Sequence, residues 1–290
     1  MSGCAVNGGE TVSRAGAVAS ALAGALAGAL ALSAPVAAHA APARADCAGP
    51  TFTQVAPVRI GGVAPDGSLT LDDGRRFVVE NIVVPTRLEP VDGLAEAAAR
   101  AGMAAVEGHP VLVSGTATDR HGRTVGQARL TAAVEGRVDL AAVLVAAGAA
   151  YATGDGPCAA ALLAVEAEAR GAGRGLWKRA GAVAAAGDER DMARRRGLHA
   201  VAEGRILAVG VRRDRTYLNF GETWRRDFTV MVRTSDFATI LGHGQDPAML
   251  RGALVRVRGV VREQGGPAIM VQSQAGIERL GERTGSEERR

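Results

Sequence analysis

Lysine is almost absent from this chain, since only Lys178 among its 34 basic side chains is a lysine. Arginine suits bidentate phosphate recognition better than lysine does, but an arginine-, alanine- and glycine-rich composition also follows from GC-rich coding. We assign most of the bias to coding. The net charge of +4 is mild, so it permits nucleic acid as a partner without requiring one.

Cysteine is also scarce, with three in the whole sequence. Neither Cys47 nor Cys158 has a histidine or cysteine at metal-ligand spacing, which excludes a cysteine zinc site and argues against a catalytic thiol. Cys4 lies in an N-terminal leader, so the other two remain as a pair. In an oxidising compartment this pair predicts a Cys47–Cys158 disulfide, and the alternative is two buried thiols.

Long hydrophobic runs are missing except at the N-terminus. Arg14 precedes an Ala/Leu-rich run at 15–34, and Ala-x-Ala cleavage sites stand at 38–40 and 43–45. Residues 1–45 are therefore predicted to be a signal peptide, and the mature protein is expected in the periplasm or secreted. We expect no stable membrane insertion after cleavage. The alternatives are an uncleaved anchor and a disordered alanine-rich leader.

Hydrophobic alternation and turn signals predict a mainly β chain with helices, of the α+β class, over residues 46–180. Strands are expected at 55–63, 67–72, 76–84, 110–118 and 124–133, and helices at 94–107, 138–148 and 157–172. Five strands with a helix after the third is the order of an OB barrel.

A composition shift at 181–199 predicts a linker, with a second small OB-like barrel at 200–281 and a disordered tail at 282–290. Strand-like segments lie at 200–211, 215–220, 226–233, 253–263 and 267–273. A polar, helical interval around Asp246-Pro247 separates the third of these from the fourth. Within the linker, the run Arg194–Arg196 is either a solvated charge cluster or a phosphate contact.

Several segments of the first barrel carry a family resemblance. The loop Asp119-Arg-His-Gly-Arg123 is followed by Glu166-Ala-Glu-Ala-Arg170 and by Gly175-Leu-Trp177. In that order, and with Asp66-Gly67 before them, they resemble the thermonuclease (staphylococcal nuclease-like) family over about residues 55–180. The resemblance implies a calcium ion held by carboxylates, a general base and two phosphate-binding arginines.

The key positions of that family are mostly changed here. Aligned on Asp66-Gly67 and Pro85, the resemblance places its two metal aspartates, base glutamate and first arginine at Ser68, Val83, Thr86 and Val78. The second arginine is retained as Arg123. The resemblance therefore implies a dismantled metal site, for which no metal and no other cofactor is expected.

Two alternatives stay open for this site. A one-residue strand slip could let Asp66, Asp72, Asp73 and Glu80 rebuild a metal site, and the protein would then be a calcium-dependent nuclease acting on DNA or RNA. Arg123 either contacts phosphate or pairs with a loop acid such as Asp119.

Aromatic side chains are few, but five of the nine fall between Tyr217 and Phe237, among arginines. Aromatics interleaved with arginines on an OB face are typical of single-strand binding. The candidate nucleic-acid contacts are Tyr217, Trp224, Arg225 and Arg226, whereas Phe220 and Phe228 fit core positions. These segments also resemble an accessory barrel that follows nuclease-like domains in some exported bacterial proteins.

The sequence thus favours a non-catalytic binding protein whose partner is single-stranded nucleic acid or another envelope polyanion. A purely structural envelope role is a further alternative, because fold does not determine function.

Overall fold

The computed structural model describes residues 56–131, 137–223, 225–242 and 246–281. All of them belong to one compact unit. The predicted signal peptide, Cys47, Trp224 and the predicted tail lie outside the described residues. Within the described ranges, none of the helices has the length and apolar character that crossing a membrane requires.

The first barrel follows the predicted order of elements. Its strands are β1 (Ile60–Val63), β2 (Leu69–Leu71), β3 (Arg76–Val79), β4 (Ile82–Val83), β5 (Val111–Thr118), β6 (Thr124–Thr131), β7 (Arg137–Asp139) and β8 (Tyr151–Ala152). Its helices are α1 (Leu94–Val106), α2 (Leu140–Ala146) and α3 (Ala159–Gly171), with a 3₁₀ turn at Gly175–Lys178. Strand order is β1-β2-β3-β6-β5, and a bridge between Val58 and Val111 returns to the start of the chain.

The core of this barrel explains why the elements form. Alternate strand residues such as Leu69, Leu71 and Phe77 are at most 5% exposed, so each strand buries one face as the period-two pattern predicts. Asp139 caps α2 by accepting hydrogen bonds from the amides of Ala141 and Ala142.

The segment predicted as one strand at 76–84 is two strands, which corrects the sequence prediction. Glu80 and Asn81 form a turn between β3 and β4, and Asn81 has a left-handed backbone with φ of 65°. Asparagine tolerates this conformation better than most residues. After the turn, β4 leaves the main sheet and pairs with β8.

The segment predicted as a linker is ordered and packed. It contains β9 (Ala184–Ala185) and α4 (Glu189–Arg194), and Asp188 caps that helix. Arg195 was expected in a solvated or phosphate-binding cluster, but it is 1% exposed. Its Nε lies 3.1 Å from Asp191 Oδ1, and its Nη2 donates to the carbonyl of Gly181 at 2.8 Å. Neither expectation holds for Arg195, because its guanidinium is buried and bonded to Asp191 and to the backbone at Gly181.

The segment predicted as a second barrel, called the second barrel below, contains a five-stranded sheet whose strand order resembles that of the first barrel. Its strands are β10 (His199–Arg205), β11 (Ala208–Val211), β12 (Arg215–Asn219), β13 (Thr229–Arg233), β14 (Leu254–Val260), β15 (Arg262–Glu263), β16 (Pro267–Val271) and β17 (Ile277–Leu280). The helix α5 (Phe237–Leu241) and a 3₁₀ turn at Pro247–Leu250 separate β13 from β14. The sheets have the orders β11-β12-β13-β16-β15 and β17-β14-β10-β9. Phe220 and Phe228 are at most 4% exposed, which confirms their predicted core positions.

A buried ion pair joins the two barrels. Arg258 on β14 reaches Glu166 on α3, with Nη1 to Oε1 and Oε2 distances of 2.9 and 3.1 Å, and both side chains are 1% exposed. Arg258 also pairs with Glu278 on β17 and donates to the carbonyl of Ala152. The two barrels therefore share polar groups that water does not reach.

Candidate functional site

The Asp66-Gly67-Ser68 turn contains Ser68, the position at which the family resemblance places the first metal aspartate. Asp66 Oδ1 accepts hydrogen bonds from the Ser68 amide at 3.1 Å and the Ser68 hydroxyl at 2.6 Å. Ser68 is 1% exposed. Gly67 has φ of 79°, and a Cβ there would lie 2.5 Å from the carbonyl oxygen of Val84. The turn is thus closed on itself and packed against the segment that follows β4.

Two arginines converge on the other oxygen of Asp66. Arg123 Nη1 lies 3.3 Å and Arg76 Nη1 3.2 Å from Asp66 Oδ2. The parallel pairing of β3 with β6 places Phe77 opposite Thr124, so the residues just before them are neighbours as well. Burial acts to raise the pKa of Asp66. Hydrogen bonds from Ser68 and the charges of Arg76 and Arg123 outweigh it, so the pKa is lowered from its ordinary value.

The loop at Asp119 holds Arg123 from the other side. Arg123 Nε and Nη2 each lie 2.7 Å from Asp119 Oδ2, and Asp119 Oδ1 accepts from the amides of His121 and Arg123. The hydrogen bond from the Arg123 side chain is the main reason that the pKa of Asp119 falls to about 2. Of the two roles expected for Arg123, this geometry is the pairing with a loop acid.

Arg76 was not predicted as a member of this cluster from the sequence. Counting back from Pro85 reaches Val78, a half-buried strand residue, whereas the side chain beside Arg123 is Arg76. The count assumed an unbroken strand, and the Glu80-Asn81 turn shifts the residues before it relative to Pro85. The polar pair Glu80-Asn81 in the middle of an apolar run was the available signal.

The other changed positions have structural partners of their own. Val83 belongs to β4 and pairs with Tyr151 of β8. Thr86 Oγ1 accepts a hydrogen bond from the Leu88 amide at 3.2 Å, which closes the loop after Pro85. Val83 is thus part of a strand pair, and Thr86 stabilises a turn.

The residues present do not fit the calcium ion that the family resemblance implies. Calcium takes six to eight oxygen ligands with several carboxylates among them. Both oxygens of Asp66 are already bonded to Ser68 and the two arginines, Asp73 pairs with Arg75, and Glu80 faces Gln127. Across the described part of the chain, no three histidine, cysteine, aspartate or glutamate side chains are grouped to hold a metal.

The second barrel presents a groove on the open face of the β11-β12-β13 sheet. Tyr217 on the middle strand β12 lines it, with Gly210 opposite on β11 and Met231 opposite on β13. Because Gly210 has no side chain, a groove of about 470 Å³ opens beside the tyrosine. Arg212 and Arg215 line the same groove.

The structure separates the sequence-predicted nucleic-acid contacts. Tyr217 is in the groove, but Arg225 and Arg226 lie in the loop between β12 and β13 and are not among the groove residues. Arg226 Nη2 is 3.5 Å from Glu189 of α4. Trp224 falls outside the described residues. The arginines that accompany Tyr217 are therefore Arg212 and Arg215.

Comparison with protein families assigns one domain of the chain. Residues 83–179 match the family model described as staphylococcal nuclease homologue, so this part of the chain is a nuclease-like domain. The matched range includes Val83, Thr86 and Arg123, but it begins after Ser68 and Val78. No curated protein matches the chain.

Proposed function

We propose that this protein carries its nuclease-homologue domain as a scaffold and binds single-stranded nucleic acid, or a similar extended polyanion, without cleaving it. We further propose that it acts outside the cytoplasm after export. The observation that carries the binding part is the Tyr217 groove, which combines a partly exposed aromatic residue with arginines on one sheet.

The chemistry of the groove suits a single strand. Bases stack on an aromatic ring regardless of sequence, and guanidiniums follow the phosphates. Tyr217 is partly exposed on the strand β12, and Arg215 lies two residues away on the same face. Asn219 and Thr229, on the same face, are bonded to each other at 3.0 Å, so they shape the groove's end.

The absence of cleavage is argued from what the former catalytic positions now do. Ser68 bonds Asp66, Thr86 bonds the Leu88 amide, and Val83 offers no oxygen. Loss of both metal carboxylates and the base normally removes the activity of a metal-dependent enzyme. Calcium-dependent nuclease activity remains the rival function, because the domain match and the adjacent Arg76 and Arg123 favour it.

The test uses the mature chain and a fluorescently labelled single-stranded DNA, with anisotropy measured at several salt concentrations. We expect binding that weakens as salt rises, because phosphate contacts release counterions. Tyr217→Ala should weaken it by about 1–3 kcal/mol, whereas Tyr217→Phe, which keeps the ring, should bind almost as well as the parent. Equal loss in both variants, or no binding at low salt, would reject the stacking role.

The same DNA serves to test for cleavage. We expect no more product with calcium than with a chelator, and no difference between the parent and Arg123→Ala. Calcium-dependent cleavage that is lost in Arg123→Ala would establish the rival function instead.

A further inference from the structure

A second cavity, of about 500 Å³, lies between the two barrels. The nuclease-like domain contributes Val83, Thr153 and Asp155 to its wall, and the second barrel contributes the remainder. Its size is within the range of small-ligand sites. None of its residues belongs to the Asp66–Arg123 cluster.

The wall of this cleft carries an excess of positive charge. Arg215 and Arg233 are direct cross-strand partners on one face of the sheet, and Arg262 lines the same cleft. Like charges placed directly opposite each other destabilise a sheet. In the described structure, neither Arg233 nor Arg262 has an acidic partner, and Arg215 Nε lies 3.8 Å from Asp214 Oδ2. A bound anion would remove this repulsion.

Two buried polar atoms in the wall also lack partners. His199 and Arg258 are both buried, and both line the cleft. His199 Nε2 and Arg258 Nε have no hydrogen-bond partner among the described residues. Buried polar atoms of this kind are rare in folded proteins and call for a ligand or an ordered water.

Not all of the charged groups in the wall are free to bind an anion. Arg258 is neutralised by Glu166 and Glu278, so it contributes a polar atom more than a charge. Burial, with Arg258 as the second cause, lowers the pKa of His199 to about 4, so the imidazole is neutral near pH 7. Asp155 is the acid in the wall, and it faces Ser273. The available positive charge is therefore on Arg215, Arg233 and Arg262.

We propose that this cleft is a binding site for a phosphate-bearing group of about the size of one nucleotide. Arg215, Arg233 and Arg262 would hold the phosphate, which carries about 1.5 to 2 negative charges as a monoester near pH 7. The choice of a nucleotide rests on the proposed function, because Arg215 and Gln264 line both this cleft and the Tyr217 groove. A strand in the groove could thus place its next phosphate, or its end, in the cleft.

The test is calorimetric titration of the mature chain with adenosine 5′-monophosphate, adenosine and inorganic phosphate at low salt. We expect the monophosphate to bind, adenosine to bind much more weakly, and phosphate to compete. Arg233→Ala and Arg262→Ala should each weaken monophosphate binding roughly tenfold or more, as expected for a lost hydrogen bond to a charged group. Arg100→Ala is the matched control, since it removes an exposed arginine from α1, remote in sequence from the cleft.

The outcomes separate this site from the proposed function. Monophosphate binding that neither Arg233→Ala nor Arg262→Ala weakens, or no binding at low salt, overturns the cleft site. Arginine-dependent monophosphate binding by a protein that ignores single-stranded DNA keeps the cleft and rejects the proposed function. Inorganic phosphate that binds as tightly as the monophosphate would support the anion site but overturn the nucleotide assignment.

Discussion

The buried pair between Glu166 and Arg258 makes a strong prediction about how the two barrels are held together. Glu166 accepts from Arg258 Nη1 at 2.9 and 3.1 Å, from the Ala152 amide at 2.8 Å, and lies 3.5 Å from Arg170 Nη1. Glu166→Ala removes all of these contacts at once. The mutation would leave a guanidinium and a backbone N–H short of partners in a buried region.

The size of the effect follows from those losses. Removing one member of a buried pair typically costs about 3–5 kcal/mol, and an orphaned buried amide costs about 1–3 kcal/mol. Arg258 would keep Glu278 and the Ala152 carbonyl, which moderates the loss. We therefore expect Glu166→Ala to lower the free energy of unfolding by about 3 kcal/mol.

The assay is urea denaturation of the mature protein followed by circular dichroism. Glu168→Ala is the matched control, because Glu168 is exposed on the same helix and its removal should change stability by no more than about 0.5 kcal/mol. The double variant Glu166→Leu/Arg258→Met leaves no unpaired charge on either side of this pair. It should be less destabilised than the sum of the single variants Glu166→Leu and Arg258→Met by at least about 2 kcal/mol.

Additive changes in the free energy of unfolding would refute this reasoning. If Glu166→Ala costs less than about 1 kcal/mol, or if the single and double variants add, then the pair is not coupled across the interface and the barrels are held by apolar contacts instead.

Two further predictions concern pH and oxidation. Burial, opposed by the charge of Arg195, raises the pKa of Glu89 to about 7, so the unfolded chain ionises this group first and stability should fall by up to about 3 kcal/mol between pH 4.5 and 7. Glu89→Gln should reduce that fall in urea titrations at pH 5 and 8, and an unchanged slope would contradict the assignment. Protein recovered from the exported fraction should contain a Cys47–Cys158 disulfide whose reduction lowers the melting temperature by several degrees. Mass spectrometry that finds both thiols alkylated without reduction would rule the disulfide out.

Most of the fold could be predicted because its signals are local. The helix expected at 94–107 is α1 at Leu94–Val106, and the strands expected at 110–118 and 124–133 are β5 and β6. Each of these has a clear apolar period, and glycine-containing turns bound the strands. The local apolar pattern was sufficient to predict a helix or strand that buries one of its faces in the core.

Non-local pairing could not be predicted in the same way. Glu166 and Arg258 are 92 residues apart, and nothing in either segment identifies the other as its partner. The burial of Arg195 was equally unpredictable, because a run of three arginines is usually solvated. Here the carbonyl of Gly181 and the carboxylate of Asp191 pair with Arg195 and make its burial possible. Charge patterns locate arginines without indicating which of them are neutralised.

That distinction bears directly on where a polyanion would bind. Arg123 is held by Asp66 and Asp119, and Arg76 shares Asp66, so phosphate binding there must displace existing ion pairs. Arg233 and Arg262 face no such competition from acids among the described residues. An anion therefore gains more from the second barrel, where desolvation of free guanidiniums is the main opposing term. The binding surface is thus expected next to the nuclease-like domain and not within the Asp66–Arg123 cluster.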